Sequence, residues 1–206
     1  IIPGSAQINY NNYWNGVTAE NACKWGSVEG SQDAMNWNGA NTCYNHAKNN
    51  NMMFRYHAAL WAAQYPSWIL NLSTTDARAE LVEYMEAIAK NFPLTDQIDV
   101  LNEQLDNHQA DNQKFRDKFS GISNCPADNF TWQIWLFTEA RRIFPNTKLI
   151  LNDYGLENDQ NAINMQLNLL KALRDRGIVD GFGTQAHCFN IDGLSASSLK
   201  SSLDKM

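Results

Sequence analysis

The residues best equipped for chemistry close five short apolar runs: Glu20-Asn21, His57 with Trp61, Asn102-Glu103, Asn152-Asp153-Tyr154, and Gln185 with His187. Each alone reads as a strand end meeting water. Five in succession, ending in Glu, Asn, Gln, His and Asp, describe a polar cleft. The stretch QIDVLNEQLDNHQ, residues 97–109, is the sharpest of them. Ile98, Val100 and Leu101 are apolar, yet Asp99 lies inside the run and Asn102-Glu103 end it. An unpaired buried carboxylate is costly or shifts its pKa upward, so Asp99 requires a partner and Glu103 a task.

Several chemistries lack support. There is no G-x-S-x-G elbow and no Cys–His pairing for a nucleophile mechanism. His57, Asp153 and His187 could converge on a metal, but no H-x-H or H-E-x-x-H spacing supports it, and no metal site is expected. No G-x-G-x-x-G or G-K-[ST] loop provides for a nucleotide, and no cofactor is expected. A net charge of −6 without a Lys/Arg cluster argues against a nucleic-acid partner. No apolar run approaches the roughly 20 residues of a membrane-spanning helix. Carboxylates remain, with amides and imidazoles to orient hydroxyls. That set suits glycoside hydrolysis, in which one carboxylic acid protonates the leaving oxygen and a second carboxylate attacks or activates water. Seven Trp and seven Tyr exceed what a core of this size requires, and flat aromatic faces suit sugar rings. Core packing is nevertheless the commoner fate of any single Trp.

The elements that must position these groups alternate. Strands are predicted over 16–21, 52–61, 97–103, 148–154 and 179–187. From Asp76, a helical face carries Leu81, Tyr84, Met85, Ile88 and Phe92, with Asp76 as N-cap and Pro93 as stop. A second carries Trp132, Trp135, Leu136, Ala140 and Ile143, and a third Ile163, Leu167, Leu170 and Leu173, ending at Gly177. A short helix is expected around Cys43–Lys48. Strands alternating with helices imply parallel βαβ units, closed as an open doubly wound sheet or as a β/α barrel. The missing phosphate loop and the polar strand ends favour the barrel, whose site lies at the C-terminal ends of its strands. At 206 residues and 44% hydrophobic, the chain suffices for one domain. Cys23, Cys43, Cys125 and Cys188 form no CxxC pair and allow three disulfide connectivities if oxidised. No leader is legible at residues 1–4, while the sequons at Asn71 and Asn129 lean towards an exported protein.

Five blocks then converge on one resemblance. VTAENACKW (17–25), RYHAALWAAQYPSWI (55–69), DVLNE (99–103), LILNDY (149–154) and DGFGTQAH (180–187) resemble, in order and approximate spacing, motifs of the glycoside hydrolase family 10 xylanases. The resemblance covers residues 1–206 as part of that family's catalytic (β/α)8 TIM barrel. It implies a secreted endo-1,4-β-xylanase acting on xylan and xylo-oligosaccharides with retention of configuration and without a cofactor, in some relatives joined to a carbohydrate-binding module. It implies that Glu103 is the acid/base and that Asn102 holds the C2 hydroxyl of the sugar under attack. Glu20, Asn21 and Lys24 would bind sugars on the non-reducing side. His57, Trp61, Gln185 and His187 would line the reacting subsite, with Gln185 and His187 supporting the nucleophile, and Tyr154 would assist binding. Strand alternation puts Asp99, Leu101 and Glu103 on one side and Val100 and Asn102 on the other. Asp99 then lies beneath Glu103, with His57 or His187 as its partner.

Two departures stand out. Ala62 replaces the His that the family carries after its Trp. The family's nucleophile, the Glu of a T-E-L-D motif on the seventh strand, has no counterpart in these 206 residues. The strands resemble the second to sixth of the barrel, with the first abbreviated or lost in residues 1–10 and the seventh and eighth absent. Glu20 and Asp153 are poor substitutes, and these residues by themselves are not expected to hydrolyse xylan efficiently. The alternatives are a non-catalytic xylan-binding barrel and a related β-glucan hydrolase.

Overall fold

Five strands pair in parallel and in chain order: β1 (Gly16–Thr18), β2 (Met53–Trp61), β3 (Gln97–Asn102), β4 (Lys148–Asp153) and β5 (Gly181–Thr184). The computed structural model describes residues 9–206. The expected remnant of a first barrel strand therefore falls almost wholly outside the described residues; Tyr10 lies in a 3-10 turn, Tyr10–Asn12. A doubly wound sheet reverses its strand order at a switch point, whereas strictly sequential order is that of a barrel arc. The arc is an incomplete β/α barrel, as expected.

The helices are α1 (Trp25–Val28), α2 (Asn38–Asn49), α3 (Thr74–Asn91), α4 (Asn112–Ser120), α5 (Thr131–Ile143), α6 (Gln160–Arg174), α7 (Cys188–Ile191) and α8 (Ala196–Leu203). Helix α3 begins before Asp76: Ser73 is the N-cap and accepts from the Asp76 N–H at 3.1 Å. Asp76 instead occupies the third helical position and accepts from the Ser73 hydroxyl at 2.7 Å, a reciprocal cap. The α3 face is as predicted, with Leu81, Tyr84, Met85 and Ile88 buried. In α5, Gln133 and Phe137 are buried, with Trp135 and Ile143 only half-buried; in α6, Gln166 and Leu169 displace Leu167 and Leu170. The cause is polar. Gln133 donates to Gln104 at 3.2 Å, Gln104 to Gln166 at 3.2 Å, and Gln166 to Asp153, so both helices turn an amide inward.

The hydrophobic core lies between the outer face of the arc and the helices. Phe54, Tyr56, Ile98, Val100, Leu149 and Leu151 meet Leu81, Ile88, Phe119, Leu136 and Leu173 there. Most Trp residues serve this layer: Trp25 and Trp37 stack on either side of Tyr84 at 5.1 and 5.9 Å. The Tyr84 hydroxyl accepts from Tyr56 and donates to the Cys23 carbonyl at 3.0 Å, pinning the turn that leads into Lys24. All four cysteines are free thiols.

The inner face of the arc is polar. Asp99, 1% exposed, takes Arg55 Nη2 at 2.6 Å, Arg55 Nε at 3.1 Å and His57 Nδ1 at 2.8 Å. His57 is thus the partner expected, His187 is not, and the guanidinium was unforeseen. Alternation fails at this point. Register shifts between Asp99 and Leu101 on β3, and between His57 and Leu60 on β2, insert extra residues. Asp99 and Asn102 consequently share one network, since Arg55 also donates to Asn152 at 3.1 Å and Asn152 to Asn102 at 2.7 Å. A bulge puts residues three apart on the same face.

Carboxylates also tie the opposite, N-terminal ends of the strands. Asp96 accepts from the Phe54 N–H at 2.8 Å and pairs with Lys48 at 2.6 Å; Asp180 accepts from the Leu149 N–H at 2.8 Å and pairs with Arg141. Burial opposes ionisation of each, but the N–H donors and the cations outweigh it and hold both below the ordinary carboxylate value. A depressed pKa gives stability that is present above the unfolded value and lost as pH falls through the folded one. In thermal melts, Asp96→Asn with Asp180→Asn should lower Tm at neutral pH by a few degrees, with the gap to wild type closing below about pH 4. Arg55→Met should cost about 3 kcal/mol in urea denaturation by stranding Asp99, and adding Asp99→Asn should recover part of that loss.

Candidate active site

The C-terminal strand ends enclose a cleft of about 530 Å³, lined by Glu20, Lys24, His57, Trp61, Glu103, Gln185 and His187, with Arg55, Asp99 and Asn152 at its floor. Seven of the ten residues singled out from sequence are in its wall. Asn21 is exposed at the rim and accepts from Lys24 Nζ at 2.8 Å. Asn102 lies beneath the surface, closed to solvent. Tyr154 is set back, stacked on the His108 ring at 4.0 Å.

Glu103 follows β3 directly and has φ of +52°, in the left-handed region that non-glycine residues seldom occupy. Strain of this kind, on the order of 1 kcal/mol, persists only where the surroundings over-determine the backbone. They do so here: the Glu103 N–H donates to the Asn152 carbonyl at 2.9 Å, and Asn112 Nδ2 donates to the Glu103 carbonyl at 2.7 Å. The side chain is as firmly held. Oε2 accepts from Trp61 Nε1 at 2.9 Å and Gln109 Nε2 at 2.6 Å, and Oε1 accepts from Gln185 Nε2 at 2.7 Å. Gln185 Nε2 also donates to Asn102 Oδ1 at 3.2 Å, and Gln185 Oε1 accepts from His187 Nε2 at 2.7 Å. Its neighbour Ala186 has φ of +46°, and Glu157, 1% exposed, accepts from the Ala186 N–H at 2.9 Å and from the Thr184 hydroxyl.

On the opposite wall Lys24 lies 4.5 Å over the Trp61 ring. Burial pulls its ammonium below the ordinary lysine value, while Glu103 and Glu20 pull it back up. The result is a cation, an aromatic edge and a fixed carboxyl around one opening. Asn102 Nδ2 is buried with no hydrogen-bond partner among the described residues, leaving a donor unused beside Glu103.

The three groups once conceivable as metal ligands do not converge. His57 is on Asp99, His187 on Gln185, and Asp153, fully buried, on His108 Nδ1 at 2.5 Å. Burial raises the Asp153 pKa against the pull of His108, and Gln166 closes its other oxygen. Asp153 therefore has no route to act as a second reacting carboxylate. Sequence reading missed Arg55, His108, Gln109 and Glu157. Arg55 had a signal, being two residues from His57 on the same strand face. The others lie in loops, where no periodicity points to a partner.

The profile of glycosyl hydrolase family 10 matches residues 3–206. Endo-1,4-beta-xylanase B of Cellvibrio japonicus is 34% identical over 205 residues, covering 98% of this chain and 31% of that protein. Endo-1,4-beta-xylanase of Agaricus bisporus is 26% identical over 207 residues, covering 98% of this chain and 59% of that one. Among solved structures, a mutant of Xylanase10C from Cellvibrio japonicus in complex with xylopentaose superposes with a TM-score of 0.81 at 25% identity, over 95% of this chain and 40% of that one. The chain thus spans about a third to three fifths of the length of these relatives. With the profile matched along nearly its whole length and the five motif blocks gathered around one cleft, the chain belongs to glycosyl hydrolase family 10.

Proposed function

We propose that the whole protein is a retaining endo-1,4-β-xylanase in which Glu103 is the acid/base. The observation that carries this reading is Glu103 itself: a carboxyl at a strained strand end, aimed into a sugar-sized cleft, with both oxygens fixed by N–H donors. Protonated Glu103 gives its proton to the glycosidic oxygen as a second carboxylate attacks the anomeric carbon. Glu103, now ionised, then takes a proton from the water that hydrolyses the covalent intermediate. The second carboxylate must lie about 5–5.5 Å from Glu103, and we assign it to a strand following β5.

The remaining roles follow the family pattern and have physical support here. Asn102 takes the C2-hydroxyl role from the family pattern, its Nδ2 being a donor with no partner among the described residues. Lys24, Glu20 and Asn21 hold hydroxyls on one side of the cleft, and Tyr154 with His187 bounds the other, their rings 6.5 Å apart. The relatives' names supply xylan as the polymer, and this reading places the protein outside the cytoplasm, where such a polymer is met.

In the whole protein, Glu103→Gln should cut xylan turnover about a thousandfold while calorimetric binding of xylo-oligosaccharides changes little. Near-wild-type hydrolysis by that variant overturns the acid/base assignment. A wild-type protein that binds xylan without releasing reducing ends is a binding barrel, and faster turnover of cellulose-type glucan than of xylan makes it a β-glucanase.

A further inference from the structure

The loop after β3 contributes a contact that none of the motif blocks contains. Gln109 Nε2 donates to Glu103 Oε2 at 2.6 Å, opposite the Trp61 N–H on the same oxygen. The loop is braced to keep it there. Asn112 Nδ2 bridges the carbonyls of Glu103 and Leu105 at 2.7 and 2.6 Å, and the His108 N–H donates to the Leu105 carbonyl at 2.9 Å. The His108 ring is fixed between Asp153 and the face of Tyr154. Gln109 is half-buried between these anchors, so little rotamer entropy opposes the contact.

A protonated carboxyl has two unlike oxygens. Its carbonyl oxygen accepts two hydrogen bonds, whereas its hydroxyl oxygen donates one and still accepts one. Oε2 receives two N–H donors here and Oε1 receives one, from Gln185. The pattern satisfies all three donors in the protonated acid only if Oε2 is the carbonyl and Oε1 the hydroxyl. Resting on the acid/base reading of Glu103, we propose that Gln109 is a positioning residue: with Trp61 it fills both lone pairs of Oε2 and so assigns the transferable proton to Oε1. That proton passes to the leaving glycosidic oxygen, which keeps the electron pair of the breaking bond, while the anomeric carbon takes a carboxylate or water oxygen. Without Gln109 the proton divides between two oxygens, of which only Oε1 shares Gln185 with the buried Asn102 amide.

The test is the dependence of rate on the leaving group, measured on aryl β-xylobiosides with the whole protein. Proton donation matters when the leaving group is basic and hardly at all when it is dinitrophenolate. Gln109→Met, which keeps the volume and removes the N–H, should lower kcat/KM about tenfold for the most basic leaving group and less than about twofold for dinitrophenolate. Gln109→Glu should show the same split, and Glu103→Ala a much larger one. Equal loss on all substrates, or a loss in KM alone, makes Gln109 merely structural and overturns the proposal. If Glu103→Ala shows no split, the acid/base reading fails instead. A second readout stands apart from turnover: in 15N-labelled protein the Gln109 side-chain amide resonance should shift on Glu103→Gln. An unmoved resonance overturns the contact whatever the kinetics.

Discussion

The interior of this arc is organised by one carboxylate buried at the floor of the cleft. Asp99 is almost completely buried halfway up β3, and a lone carboxylate there would cost more than a domain can spare. Arg55 neutralises it from the neighbouring strand, and His57, two residues further along β2, hydrogen-bonds its other oxygen. The guanidinium then has a free edge, which it turns to Asn152 on β4; Asn152 reaches Asn102, and Asn102 receives Gln185 from beyond β5. Four strands are thereby fastened across the concave face by a single line of hydrogen bonds. The line ends on the Glu103 carboxyl, reached through Gln185.

That line exists because two strands are irregular. A regular β3 would send Asp99 and Asn102 to opposite faces, one into the barrel and the other among the helices. The extra residue at the bulge brings Asn102 inward, leaves Val100 and Leu101 in the hydrophobic layer, and ends the strand in the left-handed turn at Glu103. Backbone strain and polar network are therefore two aspects of one feature. The bulge aims Glu103, and the network gives the side chains of Asp99 and Asn152 partners while leaving Asn102 Nδ2 without one among the described residues.

Much of this was legible in the sequence, and the failures have a common cause. The strands and the long helix α3 follow from apolar periodicity, which reports burial against a hydrophobic layer, while the barrel order follows from the missing phosphate loop and the polar strand ends. The polar ends of the strands could be read as a cleft for the same reason, being apolar runs that stop abruptly. Where burial is polar, periodicity is silent. Gln133 and Gln166 are buried by amide-to-amide bonds, so the predicted faces of α5 and α6 are rotated from the real ones. Helix α4 buries Asn112 and Arg116 alongside only Phe115 and Phe119, too sparse an apolar pattern to register. Arg55 was overlooked because a charged residue in a strand reads as solvent-facing unless its partner is known.

The same distinction separates the two sides of the Glu103 carboxyl. Trp61 and Gln185 come from strand ends and belong to motif blocks, so their meeting with Glu103 is a consequence of the barrel itself. Gln109 comes from a loop whose course is set by Asn112, His108 and the buried Asp153. Asp153 is walled off behind His108 and Gln166, but its hydrogen bond with His108 fixes the loop that holds Glu103. A buried carboxylate with no chemistry of its own thus has a use that its position at a strand end did not suggest. One aspartate on β3 supports Glu103 from below, and another on β4 supports it from the side. Glu103 is held still because two buried aspartates, Asp99 and Asp153, are held still first.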